Sequence, residues 1–261
     1  MIRPTARVRR NPVFRVAAKL CRQYLRWYHN ASYKLDRNGE RWLLRALAGE
    51  RLHTLLDVGA NVGKWARTAA AAHPEAAIYA LELVPATFDR LRAATADEPR
   101  IRCFSVGLAE RRGRLHVRYN PAASTHTSVT EYPYGWEGGG EDLECPVLPG
   151  DEFLAEQGLA TVDFLKIDTE GAEPLVLRGF ARALGERRIR FVQFEYSRIN
   201  IYSKFLLRDF YELFEGYGYV VGKLFPDHVD VRPYGMNDED FMGPNYVACP
   251  RNDPALAKLV R

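Results

Sequence analysis

The chain has 261 residues, of which 47% are hydrophobic and 27% charged, the composition of an ordinary soluble globular protein of one larger domain plus an extension. No apolar run approaches the ~18 residues of a membrane-spanning helix, and Cys21, Cys103, Cys145 and Cys249 form neither a CxxC pair nor a zinc spacing. The net charge of +4 is uneven: residues 1–35 hold nine Arg and Lys and no acid, a local +9 that leaves −5 for the remainder.

A nucleic-acid protein would place basic residues around its cleft, so no nucleic-acid partner is expected. Scattered cysteines fit a reduced, cytoplasmic compartment, and without a secretory apolar core no export is expected. Within the basic arm Val13, Val16, Ala17, Leu20, Tyr24, Trp27 and Tyr28 recur at helical spacing, with Arg and Lys between them. In one reading the helix packs this stripe on the core and leaves its arginines in water, which is the expectation. In the other it is a basic amphipathic helix on an anionic membrane face, giving peripheral contact through residues 1–30. An Arg-rich start also fits a transit peptide, but without that class's serines. Residues 1–50 are expected to form a helical extension, 51–250 the main domain and 251–261 a tail.

Asp36-Arg37-Asn38-Gly39 reads as a turn before a helix carrying Trp42, Leu43, Ala46 and Leu47. Thr54–Val58 reads as a buried strand that ends in Asp57-Val58-Gly59-Ala60-Asn61-Val62-Gly63, and an alanine-rich helix follows over Lys64–Ala72. A glycine turn between strand and helix is where open α/β sheets bind nucleotide-like ligands. The two glycines are four apart, so this is not the GxGxxG that approaches a pyrophosphate. A second strand, Ile78–Leu81, leads to Glu82, placed to grip ribose hydroxyls. A ribose grip without a phosphate cradle suits a nucleoside ligand, with S-adenosylmethionine (SAM) the foremost choice. The plain alternative is a tight turn with Glu82 as a surface acid.

Pro85 opens the next helix, and Ile101–Val106 is the third strand, where Val106 and Gly107 stand at the position that walls an adenine in such folds. Leu115–Tyr119 is a further strand expected to pair nearby. Periodicity then fails from Asn120 to Gly150, a stretch carrying Ser124-Thr125-His126-Thr127-Ser128, Tyr132, Tyr134, Trp136 and three glycines. Loops this long are usually lids or binding loops. Its aromatics either stack on sugar faces or tie the loop down, and His126 is either a base or an ordinary loop histidine. Order returns with Val162–Asp168, then Thr169-Glu170-Gly171-Ala172-Glu173-Pro174 and an amphipathic helix. Ile189–Phe194 follows and ends at Glu195-Tyr196; after a helix over Leu206–Phe214, Tyr217–Phe225 and Asn245–Cys249 form an antiparallel pair. The alternation predicts an α/β, Rossmann-like class I SAM-methyltransferase fold, with a mostly parallel seven-stranded sheet and one antiparallel strand near the C-terminus.

Asp57-Val-Gly-Ala-Asn-Val-Gly63, Glu82, Lys166-Ile-Asp-Thr-Glu-Gly-Ala-Glu173 and Gln193-Phe-Glu-Tyr196, in this order, resemble the FkbM family of SAM-dependent O-methyltransferases over residues 50–250. The resemblance implies methyl transfer to hydroxyls of sugars, glycans or polyketide-type products and leaves the acceptor open. It puts Asp57 near the ligand, orienting the glycine turn or meeting the methionine amine. Gly59, Ala60, Asn61 and Gly63 would let backbone approach methionine and ribose, and Glu82 would take both ribose hydroxyls.

An in-line attack of oxygen on a sulfonium methyl needs orientation and a base or a metal. Asp168, at the carboxyl end of a central strand, is the first candidate, and Glu195 holds the matching place next to it. Two such carboxylates can bind a divalent cation or divide into base and orienting acid. Asp168 alternatively only holds the cofactor or caps the next helix. Glu170 and Glu173 are expected to serve a helix dipole, worth ~0.3–1 kcal/mol each. The other five histidines form no cluster, so no histidine-based metal site is expected. Tyr196, Arg198 and Asn200 either line an acceptor pocket or shape the turn. Competing readings are a catalytically silent SAM-fold protein docking to a glycan-assembly partner or membrane, and an NAD-dependent oxidoreductase, which the missing GxGxxG disfavours. Nucleic-acid methylation is disfavoured because no Asn/Asp-Pro-Pro-Tyr motif follows the fourth strand.

Overall fold

The structure, a computed structural model, describes residues 6–119 and 140–260. Strands in chain order are β1 (Thr54–Val58), β2 (Ala77–Leu81), β3 (Ile101–Phe104), β4 (Gly107–Leu108), β5 (Gly113–Tyr119), β6 (Glu141–Leu148), β7 (Val162–Ile167), β8 (Ile189–Glu195), β9 (Tyr219–Leu224), β10 (Val229–Val231) and β11 (Asn245–Pro250). The main sheet has the order β10-β9-β11-β8-β7-β1-β2-β3. Strands β3, β2, β1, β7 and β8 pair in parallel, and β11 is antiparallel to both β8 and β9. The expected seven strands with one reversed strand are therefore present. An eighth, β10, extends the edge antiparallel to β9; its three residues are too few to show an alternation in sequence.

Strands β1 and β7 lie mid-sheet and are buried at nearly every position, as strands covered on both faces are. The helices are α1 (Ala6–Arg10), α2 (Pro12–Tyr28), α3 (Glu40–Ala46), α4 (Lys64–Ala72), α5 (Pro85–Ala94), α6 (Gly150–Glu156), α7 (Glu173–Gly179), α8 (Ala181–Gly185), α9 (Asn200–Ser203), α10 (Leu207–Gly216) and α11 (Leu256–Leu259). One core layer joins the sheet to α6, α7, α8 and α10 through Phe153, Leu177, Leu184 and Phe210. The other joins it to α3, α4, α5 and α11 through Leu43, Trp65, Leu91 and Leu259. Register sets Asp57 beside Lys166 and Lys166 beside Gln193, a polar row across three buried strands.

Four expectations are corrected. Strand β5 does not join the main sheet next to β3; it pairs antiparallel with β6, and β4 pairs parallel with β6, in a separate sheet. The stretch 120–150 is not wholly irregular, since β6 and the start of α6 occupy its end. Leu143, Cys145 and Val147 do alternate there, but the preceding glycines and Pro146 obscure the pattern. Residues 120–139, with His126, Tyr132, Tyr134 and Trp136, lie outside the described residues. Residues 36–50 and 251–259 are not appendages: Leu43, Leu44, Leu47, Ala255 and Leu259 are core, and Arg190 pairs with Asp253 at 2.6 Å.

The fourth correction concerns α2. Its aromatic stripe does not pack on the domain, because no residue of this helix is buried. The side turned to the domain carries Arg22, Leu25 and Arg26, which line a cleft shared with Glu40, Glu195 and Arg198. The helix is tied down at its end, where His29 Nδ1 lies 2.9 Å from Asp240 and Asn30 Nδ2 donates to the carbonyls of Asn38 and Leu224.

Candidate functional site

The site grows from the carboxyl ends of β1, β2, β7 and β8. Gly59 turns the chain at φ +81°, and a Cβ there would collide with the Asp168 carbonyl, so the β1 and β7 turns meet through glycine alone. Asn61 also takes a left-handed φ of 48°. Its backbone N–H donates to Glu82 Oε2, and the Val84 N–H donates to Glu82 Oε1, both at 3.0 Å. Glu82 is buried, and burial raises its carboxyl above the usual range against these two hydrogen bonds. Each of its oxygens keeps a lone pair for a further donor.

These residues edge a first cavity, lined on its polar side by Gly59, Asn61, Glu82, Gly107, Asp168 and Glu170. Leu108, Leu115 and Val147, from the small sheet, give it apolar walls. Of the residues expected around the cofactor, Asp57, Ala60, Gly63 and Val106 do not line this cavity. Ala60 belongs to the core, Gly63 sits where a Cβ would meet Leu91 and Thr95 of the α5 region, and Val106 packs against the opposite core layer.

Beneath the cavity floor lies Asp57, fully buried, with Lys166 Nζ 3.0 Å from its Oδ1 and 3.2 Å from Asp168 Oδ2. Burial opposes the charge of Lys166, but Asp168, Asp57 and Glu40 outweigh it and hold its pKa above the ordinary value. Burial pushes the Asp57 carboxyl up in spite of Lys166, and its Oδ2 has no hydrogen-bond partner. Glu40 of α3 completes the polar layer. It accepts from Gln193 Nε2 at 2.7 Å and from Asn38 Nδ2 at 2.6 Å, with its pKa raised by burial.

Glu173 does not act as a surface helix-dipole acid. It is fully buried and accepts from the Thr169 N–H (2.8 Å), the Thr169 hydroxyl (3.0 Å) and the Gly171 N–H (3.0 Å), which closes the loop after β7. That loop puts Glu170 at φ 51° and turns its carboxylate toward Asp168 and Glu195. One oxygen from each of these three carboxylates lies within 4.8 Å of the other two. Burial first, then repulsion from Asp168, lifts Glu170 and Glu195 well above ordinary carboxyl values, with Glu173 adding to the shift of Glu170, and Glu170 to that of Glu195. Three hard oxygen donors at this separation suit Mg²⁺, Mn²⁺ or Ca²⁺.

A second cavity, of about 740 Å³, opens on the other side of Asp168 and Glu170. Its lining includes Glu40 and Glu195, with Arg22 and Arg26 of α2 and Arg198. Of the other residues after β8, Tyr196 donates to Glu239 Oε2 at 2.5 Å, and Asn200, fully buried, accepts from the Ser197 N–H at 2.8 Å. Both hold the turn and neither lines the cavity. Sequence reasoning gave no role to Lys166, Gln193 or Glu40. A lysine inside Val-Asp-Phe-Leu-Lys-Ile and a glutamine inside Phe-Val-Gln-Phe were signals, since a polar group in a buried strand requires a partner. Glu40 sits on a helix distant in sequence and gave none.

The chain matches the family model described as the methyltransferase FkbM domain over residues 57–221, more than half its length. It is 27% identical over 164 residues to the 2-O-methyltransferase NoeI of Sinorhizobium fredii, covering 57% of this chain and 65% of that protein. It is 29% identical over 154 residues to the hexuronic acid methyltransferase AglP of Haloferax volcanii, covering 57% and 59%. To the 31-O-demethyl-FK506 methyltransferase FkbM of Streptomyces tacrolimicus it is 28% identical over 155 residues, covering 48% and 58%. The matched part thus spans less than two thirds of each of these relatives. It holds the glycine turn, Glu82 and the Lys166–Glu173 motif in one continuous segment, and on that match the chain belongs to the FkbM methyltransferase domain family.

Proposed function

We propose that the protein transfers a methyl group from S-adenosylmethionine to a hydroxyl of a sugar or glycan, or of a comparable polyhydroxylated small molecule. The observation that carries this reading is the meeting of two cavities at Asp168 and Glu170. One has an acid placed for a ribose and apolar walls, and the other is roomy and lined by both charged and apolar side chains. Similarity to a 2-O-methyltransferase and a hexuronic acid methyltransferase supports a carbohydrate acceptor.

The first cavity fits the cofactor on the chemistry of its donors. Glu82 offers acceptor lone pairs for ribose hydroxyls, Gly59 and Gly107 allow close backbone approach, and Leu108, Leu115 and Val147 suit an adenine face. S-adenosylmethionine supplies a methyl on a positively charged sulfur, so the acceptor oxygen must only be held in line and relieved of its proton. Holding the two reactants together is the larger contribution, ~7–11 kcal/mol where alignment is good. A positioned base adds a further ~10²–10⁴-fold.

Asp168, shared by both cavities, accepts the hydrogen bond of the acceptor hydroxyl. The proton passes to Asp168, beside Glu195, whose own carboxyl is raised by burial and by repulsion from Asp168 and Glu170. Lys166 Nζ, 3.2 Å from Asp168 Oδ2, keeps that side chain aimed. Asp168, Glu170 and Glu195 also fit a divalent cation, which when bound supplies Lewis acidity toward the hydroxyl.

The test is incubation with S-adenosylmethionine and a panel of sugars, sugar nucleotides and glycan precursors, following a mass gain of one methyl. Asp168→Asn is expected to abolish transfer and keep cofactor affinity within about tenfold, as for a group acting on the acceptor. Near-normal turnover of this variant would refute the role of Asp168. Tighter calorimetric binding of NAD than of S-adenosylmethionine would refute the reading of the first cavity.

A further inference from the structure

Helix α2 leaves uncovered the kind of surface a globular protein buries. Val13 is 71% exposed, Leu20 65% and Trp27 73%, and Val16, Tyr24 and Tyr28 are exposed with them. At about 3.6 residues per turn, Arg15, Lys19, Arg22 and Arg26 share one narrow face, and the apolar residues take up the rest of the circumference. Among the described residues nothing covers this apolar side. No described helix is long and apolar enough to cross a membrane.

We infer that α2 is an interfacial anchor that lies in the headgroup region of an anionic bilayer. Three observations select this occupant over a protein groove. The arm from residue 1 to 35 carries +9 with no acid, complementary to an anionic leaflet. The apolar side mixes aliphatic residues with Trp27, Tyr24 and Tyr28, whose rings favour the boundary between acyl chains and headgroups. A seventeen-residue helix with its basic side chains gathered on one narrow face can bury the apolar side while Arg15 and Lys19 reach back along the helix to phosphates.

The placement has a geometric consequence. Arg22, Leu25 and Arg26, on the side of α2 turned to the domain, line the larger cavity together with Asp168 and Glu195. The wall between that cavity and the bilayer is then a single helix, about 10 Å thick. Acceptors carried on the leaflet reach the carboxylates without leaving the surface. This consequence rests on the function proposed above; the docking itself does not, and its test needs no turnover.

The test uses the full chain with vesicles of phosphatidylglycerol and phosphatidylcholine, and with phosphatidylcholine alone. Sedimentation with the anionic vesicles at low salt is expected, with weakening as salt screens the charges. A blue shift of tryptophan emission is expected too, and Trp27→Ala should remove it while Trp65 stays buried in the core. Leu20→Asp should abolish sedimentation with an unchanged melting temperature, since Leu20 touches no core residue. Arg15→Glu and Lys19→Glu should each weaken partition about fivefold or more. No sedimentation of the wild type, or sedimentation that Leu20→Asp leaves intact, would overturn the inference. So would a solution dimer that Leu20→Asp splits, because the stripe would then belong to a second copy of the chain.

Discussion

Removing Lys166 would leave Asp57 as a bare acid in the core, fully buried and with one carboxylate oxygen already lacking a partner. The desolvation that raises Asp57 would then act unopposed by the ammonium 3.0 Å away, and Asp168 would lose its ion pair with that ammonium. Breaking one side of a buried ion pair typically costs ~3–5 kcal/mol. Lys166→Met, which keeps the stem and removes the charge, is therefore expected to lower stability by about that amount in urea unfolding. Lys166→Met with Asp57→Leu should recover part of the loss, since two apolar groups leave no uncompensated charge. Equal stability of Lys166→Met and wild type would mean that the pair contributes nothing net and that Asp57 is held neutral.

Between elements, the decisive contact is the meeting of the turns after β1 and β7. Gly59→Ala would place a methyl into the Asp168 carbonyl at a φ of +81°, and neither backbone can yield without opening the β1–β7 pairing. We expect this variant to lose S-adenosylmethionine binding by calorimetry and to unfold at a lower temperature than Gly63→Ala, whose Cβ meets only the side chains of Leu91 and Thr95. Similar behaviour of the two would remove the special role of the Gly59 turn. This junction was legible in sequence because an apolar run, an acid and a glycine turn are local signals, and so is Lys-Ile-Asp-Thr-Glu-Gly-Ala-Glu after a strand. The fold followed from strand–helix alternation for the same reason. Unread were features that depend on contacts distant in sequence. Leu115 and Val147 wall the first cavity only because β5 and β6 pair across residues 120–139. Glu40 meets Gln193 across 153 positions. The exposure of α2 could not be read at all, since its stripe is equally suited to a core and to a surface outside the chain.

Over the whole molecule, six carboxyls crowd the interior behind the site. Burial raises Glu40, Asp57, Glu82 and Glu173, and burial with repulsion raises Glu170 and Glu195 further. In each the folded pKa exceeds the unfolded value of about 4, so the folded chain keeps protons that the unfolded chain has released. Their contribution to stability is fully present below about pH 4 and is lost as pH rises through the folded values. Asp97 and half-buried Glu98, lowered by arginine partners, and Glu50, lowered by Lys258 and Arg190, act in the opposite sense only at more acidic pH. His29 and His73, lowered by burial, oppose the carboxyls from about pH 6.5 downward, two groups against six. The melting temperature is therefore expected to rise on acidification from the alkaline side and to peak in mildly acidic buffer. A divalent cation held by Asp168, Glu170 and Glu195 would replace those protons, so Mg²⁺ or Mn²⁺ should stabilise the protein increasingly as pH rises, and a chelator should reverse the effect. Thermal unfolding across pH, with and without the cation, checks both parts. A melting temperature that falls steadily from neutral to acid would show these carboxyls to be ionised and well paired. A cation effect that survives Glu195→Gln together with Glu170→Gln would place the metal elsewhere.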